Sequence, residues 1–354
     1  MKKSILAVAV GLAALPLTVQ AAPSFYGKFH VSVDKTNEYP VGSVPGFLGD
    51  LTTLPTLADQ WAVESNSSRL GLRGSEPLFN KNVKAIYQIE VAADIDGDGS
   101  TFSTRNSYLG VDSRAGKFFA GKYDSVVKQA EGKIDQFNDT QADIDMLFFS
   151  QRRLNDTLNW VSPEMGAITV KVQAAPGEGM TAAGETKDGL ADTLGASVTF
   201  AQDNVFAALA LERSFFGTTV FDPVLLAPAT VDVIADTMAA RASAGIQLDG
   251  GIELGAIVEW LEVDPQLSGT KEGDALSFLV SGKFKAGERL DIKAQAGMLD
   301  SNDFDTEVAV VTAGADYALG KQTKVYGLLS FSDADVQGAD ESGNLFSVGM
   351  IHSF

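Results

Sequence analysis

The sequence predicts an all-β fold, a 16-stranded antiparallel transmembrane β-barrel with short turns at one end and long loops at the other, on three observations. Apolar and polar residues alternate with a period of two through many short segments, the mark of strands with one polar and one apolar face. The connections between these segments alternate between short and long. Beyond the first 21 residues, long apolar runs are absent and amphipathic helical stretches are scarce.

The chain opens with Lys2 and Lys3, an apolar run from Ile5 to Leu17, and Val19-Gln20-Ala21. That order is a secretory signal peptide over 1–21 with cleavage after Ala21, leaving 22–354 as one exported barrel domain. Removing it takes away two lysines and no acid, so the formal charge goes from −19 to −19 − 2 = −21. So acidic a chain repels polyanions, and nucleic acid is excluded as a partner. With no cysteine, the exported fold has no disulfide to hold it.

Strands are expected near 25–34, 61–74, 83–93, 102–112, 117–124, 157–163, 167–175, 193–201, 205–216, 238–249, 252–263, 274–286, 289–300, 307–319, 322–333 and 345–354. In AITVKVQ (167–173), Ile168, Val170 and Val172 share one face while Thr169, Lys171 and Gln173 share the other. LDIKAQAGM (290–298) and VKAIYQIEV (83–91) alternate likewise. Ser113-Arg114-Ala115-Gly116, Gln202-Asp203-Asn204 and Asp249-Gly250-Gly251 are hairpin turns, whereas 35–60, 125–156, 176–192 and 217–237 read as long polar or irregular connections. A soluble sandwich needs no such asymmetry, and a closed barrel in lipid has it by construction while leaving no backbone edge unpaired.

DIDGDGST (94–101) spaces Asp94, Asp96 and Asp98 like the first ligands of an EF-hand, with Gly99 at its sharp turn. Position twelve, which should be a bidentate glutamate, is Arg105, and no helices flank the loop. The sensor site is excluded. What stays open is a weak divalent site (Ca2+) on an external loop, bridging to lipopolysaccharide phosphates, or a plain solvated turn. No other cofactor is implied. Catalysis finds little material either: the only histidines are His30 and His352, with no Ser-His-Asp grouping, histidine pair or phosphate loop.

Five stretches resemble the general trimeric porins of Gram-negative bacteria: Tyr26-Gly27-Lys28, SRLGLRGSEPLFNKNVKAIYQIE (67–89), RNSYLGVDSRAGKFFAGKYDSVV (105–127), NDTLNWVSP (155–163) and the ending LFSVGMIHSF. Between about 217 and 237 no family motif is found. The resemblance implies an outer-membrane homotrimer whose third loop, about 125–156, folds into the barrel. That loop carries Glu131, Asp135, Asp139, Asp143 and Asp145, of which Asp135 and Asp139 best match the family's inward acids. Where the family often has Pro-Glu-Phe-Gly, this chain has Asp-Gln-Phe-Asn-Asp at 135–139, so which acids face the pore is left open. The opposing basic wall falls on Lys28, Arg69, Arg105 and Arg152, and strand parity adds Arg73 to the face of Arg69.

The resemblance further implies passive diffusion of ions and small hydrophilic solutes, sorted by size and by a transverse field between acidic loop and basic wall. It implies that Phe354 is read by the outer-membrane assembly machinery, and that the loop at 94–101 reaches over a neighbouring subunit. The alternatives are a channel selective for anions or short saccharides and a barrel with an adhesive or structural role. The excess of acids in loop and barrel predicts a weak cation preference.

Overall fold

The computed structural model describes residues 23–40, 56–57, 59–79, 82–97, 102–182, 185–222, 229–265, 272–336 and 338–354. The signal peptide expected over 1–21 lies outside them.

Sixteen strands run in sequence around a closed sheet. They are β1 (Ser24–Asn37), β2 (Gln60–Ser65 and Arg69–Pro77), β3 (Lys84–Ala93), β4 (Phe102–Thr104 and Ser107–Ser113), β5 (Gly116–Asp124), β6 (Arg153–Val161), β7 (Ile168–Ala175) and β8 (Thr193–Gln202). There follow β9 (Val205–Asp222), β10 (Ala229–Leu248), β11 (Ile252–Pro265), β12 (Gly273–Lys285), β13 (Leu290–Ser301), β14 (Thr306–Ala318), β15 (Thr323–Val336) and β16 (Ala339–Ser353). Each pairs antiparallel with its neighbours, and β1 closes on β16 from Lys28↔Ser353 to Asn37↔Asn344. Closure is completed where Phe354 and Gly27 exchange both backbone hydrogen bonds at 3.0 Å.

The expected strands are all present, with one correction. Within the stretch 217–237, expected as a long irregular connection, the described residues are strand: β9 and β10 continue pairing through Thr218↔Val233 to Asp222↔Ala229. Its Thr and Val residues favour strand. The short/long asymmetry therefore rests on the first half of the chain.

Alternation sorts the two faces. Leu72, Ile89, Leu109, Leu158, Leu209, Leu254, Val311 and Leu329 are exposed on the outside, where lipid replaces water. Exposed Phe25, Phe118, Phe200, Phe284, Tyr317 and Phe354 lie near the turn end, and Trp61, Phe102 and Phe331 near the loop end. These are the two interfacial aromatic belts of a membrane barrel.

Two β-bulges decide which arginines line the lumen. Asn66, Ser67 and Ser68 stand opposite Phe29 and His30, with Ser67 at φ +50°. Trp61 and Val63 face outward on β2, so without the extra residue Arg69 would too; the bulge turns it inward. Likewise Leu109 and Val111 face outward on β4, and the extra residue between the Val91↔Thr104 and Gln88↔Tyr108 pairs turns Arg105 to the lumen.

Candidate pore constriction

The connection from Ser125 to Arg152 lies inside the barrel. It starts with a one-turn helix α1 (Val126–Gln129), capped where Ser125 Oγ accepts from the Lys128 N–H at 3.0 Å, and includes a 3-10 turn, Ile144–Met146. Val126, Val127, Ile134, Phe137, Leu147 and Phe148 are buried against inward-facing Ala208, Ala239, Ile257, Leu279, Leu299 and Leu328 in one cluster. Fully burying each such side chain is worth about 2 kcal/mol. The loop's backbone is satisfied by the wall: Ser277 Oγ donates to Leu147 O and Ser281 Oγ to Ile134 O, both at 2.6 Å, and Lys293 Nζ to Gln136 O at 2.8 Å. One side of the lumen is thus filled; His30, Ser32, Asp34 and Thr36 of β1 and Gln173 of β7 are covered as well, and the wall left open is the part around Arg69, Arg73 and Arg105 on β2 and β4.

Asp139, at φ +63°, reaches from the loop to that open wall. Its carboxylate pairs with Lys28 and with Arg69 Nη1 (3.1 Å), which are directly paired residues of β1 and β2. Burial pushes the Asp139 carboxyl up, but the guanidinium of Arg69 and the ammonium of Lys28 outweigh it and hold the group well below the usual carboxylate range. Arg105 Nε donates to Glu90 Oε1 at 2.9 Å, and Tyr26 Oη donates to Glu90 Oε2 at 2.9 Å. Arg73 faces the lumen with its guanidinium over the Tyr26 ring, 4.9 Å from the centroid. Lys28, Arg69, Arg73, Arg105 and Asp139 are therefore brought onto one side of the lumen.

Two expected residues stand elsewhere. Arg152 reaches the opposite flank, where Nη2 meets Glu212 (3.3 Å), Thr237 (3.2 Å) and Ser214 on β9 and β10. Its neighbour Arg153 takes the place on the open wall, bonded to Asp124 at 3.0 Å and to Asn106 at 2.7 Å. Consecutive arginines at a strand's start point to opposite sides, so the Arg152-Arg153 pair was the available signal. Asp135 does not face the basic wall. It is buried and shapes the loop, accepting from the Phe137 N–H at 2.8 Å and the Ile144 N–H at 3.4 Å.

Burial, and then the nearby Glu131 charge, push the Asp135 carboxyl up to about 7. The folded loop thus holds this proton more tightly than an unfolded chain does. Ionisation costs loop stability; the cost is absent below the ordinary carboxylate range, grows towards neutrality and is constant above it. The loop should resist protease better at about pH 5 than at about pH 8. Asp135→Asn should reduce the difference without removing it, because burial also raises Glu131, Asp143 and Asp145 of the same loop; an undiminished difference would place it on those groups alone.

Sequence reasoning also missed a second segment that enters the lumen. After Glu38 (φ +47°), Tyr39–Pro40 pairs with Thr56–Leu57 against the inner face of β15 and β16. Tyr39 is 0% exposed, shares a hydrogen bond with Ser330 Oγ at 2.8 Å and reaches Met146 Sδ of the third loop at 4.0 Å. Gly343 makes room, since a Cβ there would lie 2.5 Å from Tyr39 Cα. Tyr39→Ala should free this segment, at a cost of about 3 kcal/mol, and raise single-channel conductance; unchanged conductance would show that the segment does not limit the pore.

Of the 94–101 loop, Asp96 Oδ2 accepts from the Ser65 N–H at 2.7 Å, and Asp98 lies outside the described residues. Among the described residues no group of three or more metal-ligating side chains is found. His30 Nε2 is 2.9 Å from Tyr326 Oη, and His352 Nδ1 is 2.8 Å from Thr323 Oγ1.

A closed lipid-facing barrel narrowed from within by a charged loop defines a membrane channel of the porin class. The Gram-negative porin family model matches residues 6–337, and the chain belongs to that family of outer-membrane barrels. It is 29% identical to the major outer membrane protein P.IB of Neisseria sicca over 182 residues, 50% of this chain and 47% of that protein. With P.IB of Neisseria meningitidis serogroup B (strain MC58) it is 31% identical over 178 residues, 49% of this chain and 50% of that protein. These matches span about half the length of the relatives. In fold it is similar to an anion-selective porin from Comamonas acidovorans (TM-score 0.69, 18% identity, covering 94% of this chain and 99% of that one). It is also similar to the trimer form of OmpT from Vibrio cholerae (TM-score 0.71, 15% identity, covering 94% and 99%).

Proposed function

We propose that the protein is a passive diffusion channel for ions and small hydrophilic solutes across the outer membrane, working as a homotrimer and favouring anions. One observation carries this: an in-folded loop leaves an open lumen wall whose named charges are unequal. Among the described residues, the cations Lys28, Arg69, Arg73, Arg105, Arg153 and Lys171 have three carboxylates as ion-pair partners, Asp139, Glu90 and Asp124, an excess of 6 − 3 = 3 positive charges at these positions. Among the described residues, Lys171 donates to the neutral Gln129 amide oxygen at 2.9 Å and has no carboxylate partner. An ion in a narrow pore feels these nearby groups, whereas distant acids are screened within about 10 Å. The local sum therefore argues against the weak cation preference expected from the sequence. The anion-selective Comamonas acidovorans porin and the trimeric Vibrio cholerae OmpT are consistent with this reading.

Planar-bilayer recording tests it. Large ohmic currents closing in three steps, with a reversal potential in a KCl gradient of the sign for chloride, are expected. Absence of current would defeat the channel, and reversal of the potassium sign would defeat the anion preference. The exposed Phe354, tilted against Phe25 and Phe29 (centroids 6.1 and 5.5 Å away), supports a role for the last strand in recognition by the assembly machinery.

A further inference from the structure

We propose that Arg73, Tyr26 and Tyr108 form a recognition shelf, on the turn side of the constriction, for solutes that carry a carboxylate on a planar aromatic ring. This deepens the diffusion-channel reading and rests on it.

Register puts Arg73 of β2 beside Gln88 of β3, and Gln88 beside Tyr108 of β4, at one height on the open wall. The Lys28–Arg69 pair sits four residues along β2, closer to the loops. Arg69, Arg105 and Arg153 each have a carboxylate partner, whereas Arg73 is exposed and forms no ion pair with a described residue. Glu90, on the same wall, is already engaged by Arg105 and Tyr26.

The cation is held ready. The Tyr26 ring is tied at its hydroxyl to Glu90 and lies flat on Gly71, where a Cβ would come within 2.2 Å of Tyr26 Cζ. The Arg73 guanidinium lies over this fixed ring, so one side of it is held while the residue stays exposed and its donors meet no carboxylate of a described residue. Two strands away, Tyr108 is braced by Phe119 (centroids 4.7 Å) and by Tyr123 edge-on (5.5 Å). Two strand spacings separate the Arg73 and Tyr108 backbones by about 10 Å, room for a guanidinium–carboxylate pair and one ring. Between them, the Gln88 amide is turned aside to donate to Asn106 O at 3.0 Å.

A carboxylate can accept two parallel hydrogen bonds from Arg73, and its ring can pack against Tyr108. A saturated ring of equal charge keeps the first interaction and loses the aromatic one, worth about 0.5–1.5 kcal/mol, or roughly two- to tenfold. An attraction of that size favours one solute without trapping it.

The test uses the purified trimer in planar bilayers. KCl conductance of wild type and of each variant is recorded first; a wild type without KCl current would sink the channel reading itself. Permeabilities of benzoate, cyclohexanecarboxylate and acetate relative to chloride are then compared. Benzoate should exceed cyclohexanecarboxylate by roughly threefold or more in the wild type. Arg73→Gln should remove the preference, Tyr108→Leu should reduce it, and Arg73→Lys, which keeps charge without the planar fork, should also reduce it. Equal passage of benzoate and cyclohexanecarboxylate through a conducting wild type, or a preference that survives Arg73→Gln, would overturn the shelf and leave the channel standing.

Discussion

Replacing Arg241 with methionine should loosen the third loop and lower the stability of the barrel by about 3–5 kcal/mol. The side chains of Arg241 and Glu259 are 0% and 1% exposed, and they meet at 2.6 Å beneath the loop. The guanidinium also donates to Val127 O at 3.2 Å and lies over the Phe148 ring at 5.0 Å, so one side chain ties β10, β11 and the loop together. Removing it strands a buried carboxylate. Urea unfolding should shift to lower midpoint, and protease should cut the loop sooner. Because a buried ion pair replaced whole by apolar groups is often neutral or stabilising by about 1–4 kcal/mol, Arg241→Met with Glu259→Leu should recover most of the loss. Equal loss in the single and double variants would instead assign the effect to the Val127 and Phe148 contacts.

The barrel was legible in the sequence because lipid outside and water or loop inside impose opposite chemistry on successive residues. That alternation survives without knowledge of the partners of a strand, as in Ile168 to Gln173. The constriction was legible only in part, for reasons that are local. Arg105 shares its sequence parity with Leu109 and Val111, so strict alternation would place it in lipid; the bulge that turns it inward leaves no mark in composition. Arg152 and Arg153 could not be told apart until the strand start was fixed. Asp135 is a pore acid by the resemblance alone, where the match within the loop is loose, and its partners are backbone N–H groups set by the loop's own fold. Tyr39 docks on residues nearly three hundred positions away, Ser330 among them, a contact that no local pattern announces. Net charge is a poor guide to selectivity for a different reason. The formal −19 of the whole chain is an average over surfaces that a permeating ion never approaches, while the wall it does approach is basic.

That distinction gives the second large expectation. Asp139→Asn should raise the chloride-over-potassium permeability ratio by about fivefold, taking one unit charge a few ångströms from a permeating ion as about 1 kcal/mol in water. It should also widen the pore. Asp139 is the only described loop acid bridging to the basic wall, and it neutralises two cations that are themselves neighbours across β1 and β2. Without it Lys28 and Arg69 repel each other and the loop tip loses its hold on the wall, so conductance rises together with anion selectivity. Lowering pH should not mimic the variant in the mildly acid range, because the two cations keep the Asp139 carboxyl ionised well below the usual carboxylate range. Lys28→Gln with Arg69→Gln provides the opposing arm: the clamp is again broken, but the wall loses two positive charges and the reversal potential should move towards potassium. If both variants shifted the reversal potential in the same direction, loop position rather than local charge would be setting selectivity, and the anion preference would need another origin than the basic wall.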